Sequence, residues 1–265
     1  MPKFAANLSM LFTEHPFLER FGHAKAAGFQ AVEFLFPYEH DTGAIADELR
    51  RNDLEQVLFN LPAGNFAAGD RGMANDPSRI DEFRAGVHQG LTIAAELGCG
   101  RLNCLAGLRL SEVPEATQTA TLIENLRFAA DAAASVGVLQ VVEPLNAFDA
   151  PGYYLPTPDL GFAIVEQAAH SNLLLQYDVY HAQRMSGNLA ATIAARIDLI
   201  GHVQIADSPA RNEPGTGEIN YPFVLQALDD AGYDGWVSLE YRPRHTTAES
   251  LRWLTDMGYW APTRE

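Results

Sequence analysis

The chain has 265 residues, 47% of them hydrophobic, enough to bury a large core in one domain spanning residues 1–265. Its 34 acidic against 18 basic residues leave a formal net charge of -16, which repels phosphate backbones and anionic lipid surfaces and argues against nucleic acid as a partner. No apolar run approaches the roughly 20 residues of a membrane span, Met1-Pro2-Lys3-Phe4 does not open a signal peptide, and two cysteines, Cys99 and Cys104, cannot build a disulfide framework; we expect a cytoplasmic, non-membrane protein with buried thiols.

Short apolar runs alternate with longer stretches of helical spacing, the pattern of parallel β/α units. The first candidate strand, Phe4 to Asn7, is followed by amphipathic Phe17 to Ala27, and Gly28 offers a left-handed stop before the second strand, Ala31 to Phe34. A third strand, Gln56 to Asn60, leads through a long loop, Pro62 to Pro77, into the helix Ile80 to Leu97 and a second glycine stop at Gly98. The strand Arg101 to Cys104, the helix Thr117 to Ala134 with Gly137 behind it, and the strand Leu139 to Glu143 repeat the unit. After the helix Leu160 to Ala169 come the strands Leu173 to Asp178 and Ile200 to Ile205, a second long loop from Ser208 to Tyr221, the helix Phe223 to Ala231 with Gly232, and a last strand, Trp236 to Glu240. Eight alternations predict a single-domain α/β fold, a closed (β/α)8 TIM barrel. No Gly-x-Gly-x-x-Gly follows the first strand and no phosphate-binding loop of the Gly-x-x-x-x-Gly-Lys-Ser/Thr type occurs, which argues against a dinucleotide or nucleotide cofactor.

In such a barrel the chemistry sits where strands end. Four consecutive strands place Glu143, Asp178, Gln204 and Glu240 at the same end. Three carboxylates converging there would repel one another unless a cation lay among them, and oxygen donors of this kind suit one hard divalent cation, Mg2+ or Mn2+, better than zinc. A lone acidic residue after a strand is usually a helix cap or a surface group, but four in register are hard to explain that way. His181, three residues beyond Asp178, falls in the loop expected after the sixth strand and would donate to a substrate oxygen; a surface position is its bland alternative. His202 shares a strand face with Gln204, where it either orients a ligand or is a satisfied core histidine. Arg211, in the loop Asp207 to Glu218, carries a planar fork suited to a substrate carboxylate, its alternative being a solvated pair with Asp207 or Glu213. Asn7, Phe34, Asn60 and Asn103 end earlier strands and either line the pocket or pack the barrel.

These residues resemble the hydroxypyruvate isomerase family, within the xylose isomerase-like barrel superfamily, over nearly the whole chain. The likeness runs through Phe4 to Phe12, Val32-Glu33-Phe34 with Phe36-Pro37-Tyr38, Asn60 to Gly64, Glu143-Pro144-Leu145-Asn146, Gln176-Tyr177-Asp178 with Tyr180-His181, and His202 to Asp207. The stretch Glu213 to Tyr221 is its most specific part. The resemblance implies metal ligands at Glu143, Asp178, Gln204 and Glu240, with Glu143 and Glu240 as the proton-transfer pair. It implies substrate contacts at His181 and Arg211, and an acidic loop residue at Asp149. Related ketose epimerases usually carry histidine where this chain has Gln204, which turns the expectation toward hydroxypyruvate isomerase or its close relative, 2-oxo-tetronate isomerase. The implied reaction moves a proton between adjacent carbons of hydroxypyruvate through an enediolate, giving tartronate semialdehyde. Two other readings share the fold: a metal-dependent hydrolase such as an abasic-site nuclease, against which few histidines and the net charge speak, and a non-catalytic sugar-acid binding protein, against which the paired glutamates speak. A small hydroxy-carbonyl acid or sugar is the expected partner, and association of identical chains is left open.

Overall fold

The computed structural model describes residues 1–260, so the last five residues of the expected domain lie outside the described part. Nine parallel strands form one sheet: β1 Lys3–Asn7, β2 Ala31–Glu33, β3 Glu55–Gln56, β4 Phe59–Asn60, β5 Arg101–Leu105, β6 Leu139–Glu143, β7 Leu173–Asp178, β8 Ile200–Ile205 and β9 Trp236–Leu239. The expected third strand breaks at Val57-Leu58 into β3, which pairs with β2, and β4, which pairs with β5. Val57 donates to the Val32 carbonyl and Asn60 to the Leu35 carbonyl, both at 2.9 Å, so the two fragments together make one stave and the ring of eight staves closes.

Around the ring lie α1 Arg20–Ala26, α2 Thr42–Arg51, α3 Ile80–Leu97, α4 Glu115–Ala134, α5 Pro158–Ala168, α6 Val179–Met185, α7 Leu189–Arg196, α8 Tyr221–Asp230, α9 Thr247–Ser250 and α10 Arg252–Asp256. Local chemistry starts several of them: Asp41, Thr157 and Asn220 each accept a backbone N–H of the first turn, and α5 and α8 carry proline in that turn, where no N–H is missed. The glycine stops behave as expected, since Gly28, Gly98, Gly137 and Gly232 all have positive φ. The junction after β7, the sixth strand expected from the sequence, departs from expectation. No loop follows it, for Asp178 is itself the N-cap of α6, accepting from the backbone N–H groups of Tyr180 and His181, so His181 stands in a helical first turn.

Side-chain alternation along the strands divides the interior into two cores. Phe4 and Ala6, Val142, Leu173 and Leu175, Val203 and Ile205, and Val237 and Leu239 face outward against helix residues such as Val87, Leu122, Phe162 and Leu225. Each fully buried side chain of that size contributes roughly 1.5–3 kcal/mol relative to exposure. The other face points into the barrel, where Ala5, Ala31, Val57, Leu58 and Val141, with Leu139, Leu174 and Trp236 against them, form a separate apolar cluster. Two residues further along the same strands stand Asn7, Glu33, Glu143, Gln176 and Ser238, all buried. The barrel thus has an apolar floor and a polar upper interior, and that polarity needs a purpose because burying unpaired polar groups is costly.

Candidate active site

At the C-terminal ends of the strands a cavity of about 270 Å3 opens, lined by Glu143, Asp149, His181, Arg211 and Glu240 together with Asn60, Met10, Phe66, Arg71 and Arg242. Glu143, Asp178 and Glu240, from β6, β7 and the end of β9, are only 3–4% exposed. Burial, then Glu240 and Asp178, push the Glu143 carboxyl well above its ordinary range. Burial also raises Asp178, against the pull of Arg211 and the α6 amides, and raises Glu240 to about 8 despite its ion pair with Arg211.

Arg211 is the positive charge in this cluster. Its guanidinium pairs with Glu240, lies 3.5 Å from Asp178 Oδ2 and 3.8 Å from Asp149 Oδ2, and sits over the Tyr180 ring. Burial opposes that charge, but Glu240, Asp178, Glu143 and Asp149 hold it protonated. Neither pair weighed from the sequence forms. Glu213 accepts from the Arg244 amide instead, and Asp207 accepts from the backbone N–H groups of Ser208, Gly215, Thr216, Gly217 and Ile219. Those five bonds fold the loop back on itself, and at Gly217 a Cβ would stand 2.0 Å from the Ser208 carbonyl oxygen, so only glycine fits. The closure holds Arg211 at a φ of 59°, a conformation a free loop would rarely supply. Replacing Asp207 by alanine should lower unfolding stability by about 1.5–3 kcal/mol, the scale of hydrogen bonds to a charged group, and should loosen Arg211; urea unfolding reads the first and proteolysis of the 208–218 loop the second.

The sequence candidates do not all meet. Asn7 donates to Glu240 Oε1 at 3.3 Å and to Glu33 Oε1 at 2.9 Å; Asn60 accepts from Asn103, which also donates to Glu143 Oε2 at 2.7 Å. Asp149 accepts from the Tyr180 hydroxyl at 2.8 Å on the cavity wall. Gln204 stands apart from the carboxylates in its contacts: its amide nitrogen donates to Glu33 at 2.7 Å and its oxygen accepts from Gln176 at 2.6 Å. His202 bonds the other Glu33 oxygen at 2.8 Å. Glu33, present in the sequence likeness but not among the candidate residues, stands at the centre of these contacts. It ends β2 as Glu143 ends β6, so the same strand-end rule would have singled it out. Although burial opposes it, the His202 pair lowers its carboxyl, leaving an ionised group at the centre of the buried network.

Ligand atoms of Glu143, Asp178 and His181 lie within 4.8 Å of one another. His181 Nε2 lies 3.5 Å from Asp178 Oδ2, but its other ring nitrogen is bonded away from the carboxylates. Asn146 Oδ1 accepts from Phe148 and Asp149, which aims its amide nitrogen at His181 Nδ1, 2.7 Å away, and the Asn146 backbone N–H reaches the same atom at 3.1 Å. A nitrogen that accepts from two donors carries no proton, so neutral His181 holds its proton on Nε2 and faces the cavity as a donor. Burial, then Arg211, keep its pKa well below normal and hence keep it neutral. The carboxylates do fit a hard cation: Asp178 Oδ2 is buried without a hydrogen-bond partner, and the donors are oxygens of three acidic groups. We expect Asn146→Asp to draw a proton onto Nδ1 and to raise KM about tenfold, the cost of one misdirected hydrogen bond, with the ring nitrogen shifts in NMR spectra reporting the change.

A family model described as a xylose isomerase-like TIM barrel matches residues 21–257. A 2-oxo-tetronate isomerase of Cupriavidus necator is 47% identical over 254 residues, covering 96% of this chain and 98% of the relative. A hydroxypyruvate isomerase of Escherichia coli K12 is 46% identical over the same span, again covering 96% and 98%. Among solved structures, one described as an AP endonuclease, family 2, from Brucella melitensis superposes with a TM-score of 0.94 at 45% identity, covering 97% of this chain and 99% of that one.

Proposed function

This chain belongs to the xylose isomerase-like TIM barrel family, and we propose that it is an isomerase of small hydroxy-carbonyl acids, interconverting hydroxypyruvate and 2-hydroxy-3-oxopropanoate. The observation that carries this reading is the set of three buried carboxylates at the strand ends: Glu143 and Glu240 line a cavity of small-molecule size, and Asp178 lies beside them, 3.5 Å from Arg211. Glu143, Asp178 and Glu240 would hold one Mg2+ or Mn2+, joined by Gln204 if its oxygen turns from Gln176. When bound, such a cation polarises a carbonyl oxygen and offsets the negative charge that develops there.

The remaining work falls to the chain itself. Arg71, Arg211 and Arg242 on the cavity wall attract the substrate carboxylate, and two planar guanidinium nitrogens can hold it in one orientation. The His181 Nε2 proton meets a substrate oxygen. Burial leaves Glu143 and Glu240 stronger bases than free carboxylates, suited to take a proton from one carbon and return it to the next. Phe66, Met10 and Leu145 line the same space and limit water at the reacting carbons.

The nuclease reading has less support: the chain carries a net charge of -16, and among the described residues Glu143, Asp178 and His181 are the one such cluster at the strand ends. A coupled isomerisation assay with hydroxypyruvate, 2-oxo-tetronate and a ketohexose, after chelation and after return of Mg2+ or Mn2+, tests the proposal. Turnover of the three- or four-carbon acid that vanishes on chelation is expected. Turnover indifferent to chelation overturns the metal role, and turnover of none of the three overturns the isomerase reading.

A further inference from the structure

On the outer rim, away from the barrel centre, a second set of ligating side chains converges. His15, Glu19 and His23 are spaced four residues apart, and one ligand atom of each lies within 4.8 Å of the others. The spacing alone would not bring them together, because Pro16 separates His15 from the helical turns that carry the other two. Tertiary contacts do so. The chain reverses at Phe12, whose carbonyl accepts from the His15 N–H at 3.0 Å, and Arg20 donates to the His15 carbonyl at 2.9 Å and to the Leu8 carbonyl at 2.7 Å. On the other side Glu14 accepts from the Thr247 backbone N–H and hydroxyl at 2.6 and 3.0 Å. His15 is thereby set on a braced turn with its ring parallel to that of His23, centroids 3.5 Å apart and planes 9° from parallel. The Phe12 ring lies near-parallel to that of His23, centroids 6.4 Å apart. Glu19 and His23 are exposed and His15 is half-buried, so an ion reaches them from solution without opening the fold.

We propose that His15, Glu19 and His23 form a binding site for one borderline transition cation of the Zn2+, Ni2+ or Cu2+ class. Two imidazole nitrogens and a carboxylate oxygen match these ions, whereas Mg2+ and Mn2+ favour the all-oxygen set inside the barrel. A tetrahedral zinc ion with ligands at about 2.0–2.1 Å needs donors roughly 3.4 Å apart, and the two rings must unstack so that their in-plane lone pairs converge, a rotation open to side chains on the surface; solvent completes the shell. Occupancy ties the loop after β1, which carries Met10 into the cavity, to α1.

Isothermal titration of the full chain with Zn2+ in excess Mg2+, and X-ray absorption of the zinc-loaded protein, test the site. The wild type should bind one more zinc ion than the His15→Gln/His23→Gln variant, or bind it at least about tenfold more tightly, the lower bound for a disturbed metal environment. Glu19→Gln should weaken binding without removing it, and the absorption spectrum should show two imidazoles at the lost site. Unchanged melting temperatures without zinc show that the variants fold. Equal zinc number and affinity in wild type and double variant overturn the proposal, as does zinc binding that disappears with Asp178→Asn and persists in the histidine variant.

Discussion

Exchanging Glu240 for glutamine is expected to lower turnover at least about a hundredfold, the scale of a lost general base, while divalent-cation affinity changes far less. Glutamine keeps the size of the side chain and one oxygen toward Arg211, and it cannot accept a proton from carbon. On the proposed function its surroundings suit Glu240 to such a transfer: Asn7 donates to one oxygen, Arg211 pairs with the other, and burial raises its proton affinity. Steady-state turnover together with exchange of the substrate C–H into deuterated water reads both halves of the expectation. Near-normal exchange in Glu240→Gln would remove this residue from proton transfer and leave Glu143 as its sole carrier.

Replacing Arg211 by methionine should cost about 3–5 kcal/mol of unfolding stability in the metal-free protein, the range for breaking a buried ion pair by deleting one partner. Methionine fills similar apolar volume but leaves Glu143, Asp178 and Glu240 without the charge that now lies among them. All three carboxyls are raised in the fold, so the native state binds more protons than the unfolded chain between the ordinary carboxylate pKa of about 4.3 and the value of about 8 at Glu240. Native stability therefore falls as pH rises through that window, and loss of Arg211 should steepen the fall. Mg2+ should restore more stability to Arg211→Met than to wild type, because on the proposed function guanidinium and divalent cation would compete for the same oxygens. Thermal unfolding across pH, with and without Mg2+, measures all of this. A variant as stable as wild type at every pH would show that the carboxylates do not depend on Arg211.

Much of the fold was legible because its determinants are local. Short apolar runs, helical spacing and glycine stops at 28, 98, 137 and 232 each act within a few residues, and the barrel follows from their alternation. The split of the third stave was not legible, since Gln56 to Asn60 is continuous in pattern and breaks only because its two ends pair with different neighbours. A loop around His181 is what strand-to-helix junctions usually lead one to expect; Asp178, serving as both strand end and helix cap, leaves no room for it.

The candidate site divides in the same way. Sequence by itself determined that Glu143, Asp178 and Glu240 would share one end of a barrel, because strand direction and side-chain alternation leave an inward strand-end residue no other place. Tertiary structure alone decided the partners: Arg211 came among the carboxylates through a loop closed on Asp207, Gln204 turned to Glu33 and Gln176, and Asn146 chose the protonated nitrogen of His181. The reason is reach. Periodicity sets which way a side chain points, whereas a hydrogen bond or ion pair forms only over a few ångströms, between residues as far apart in the chain as 33 and 204.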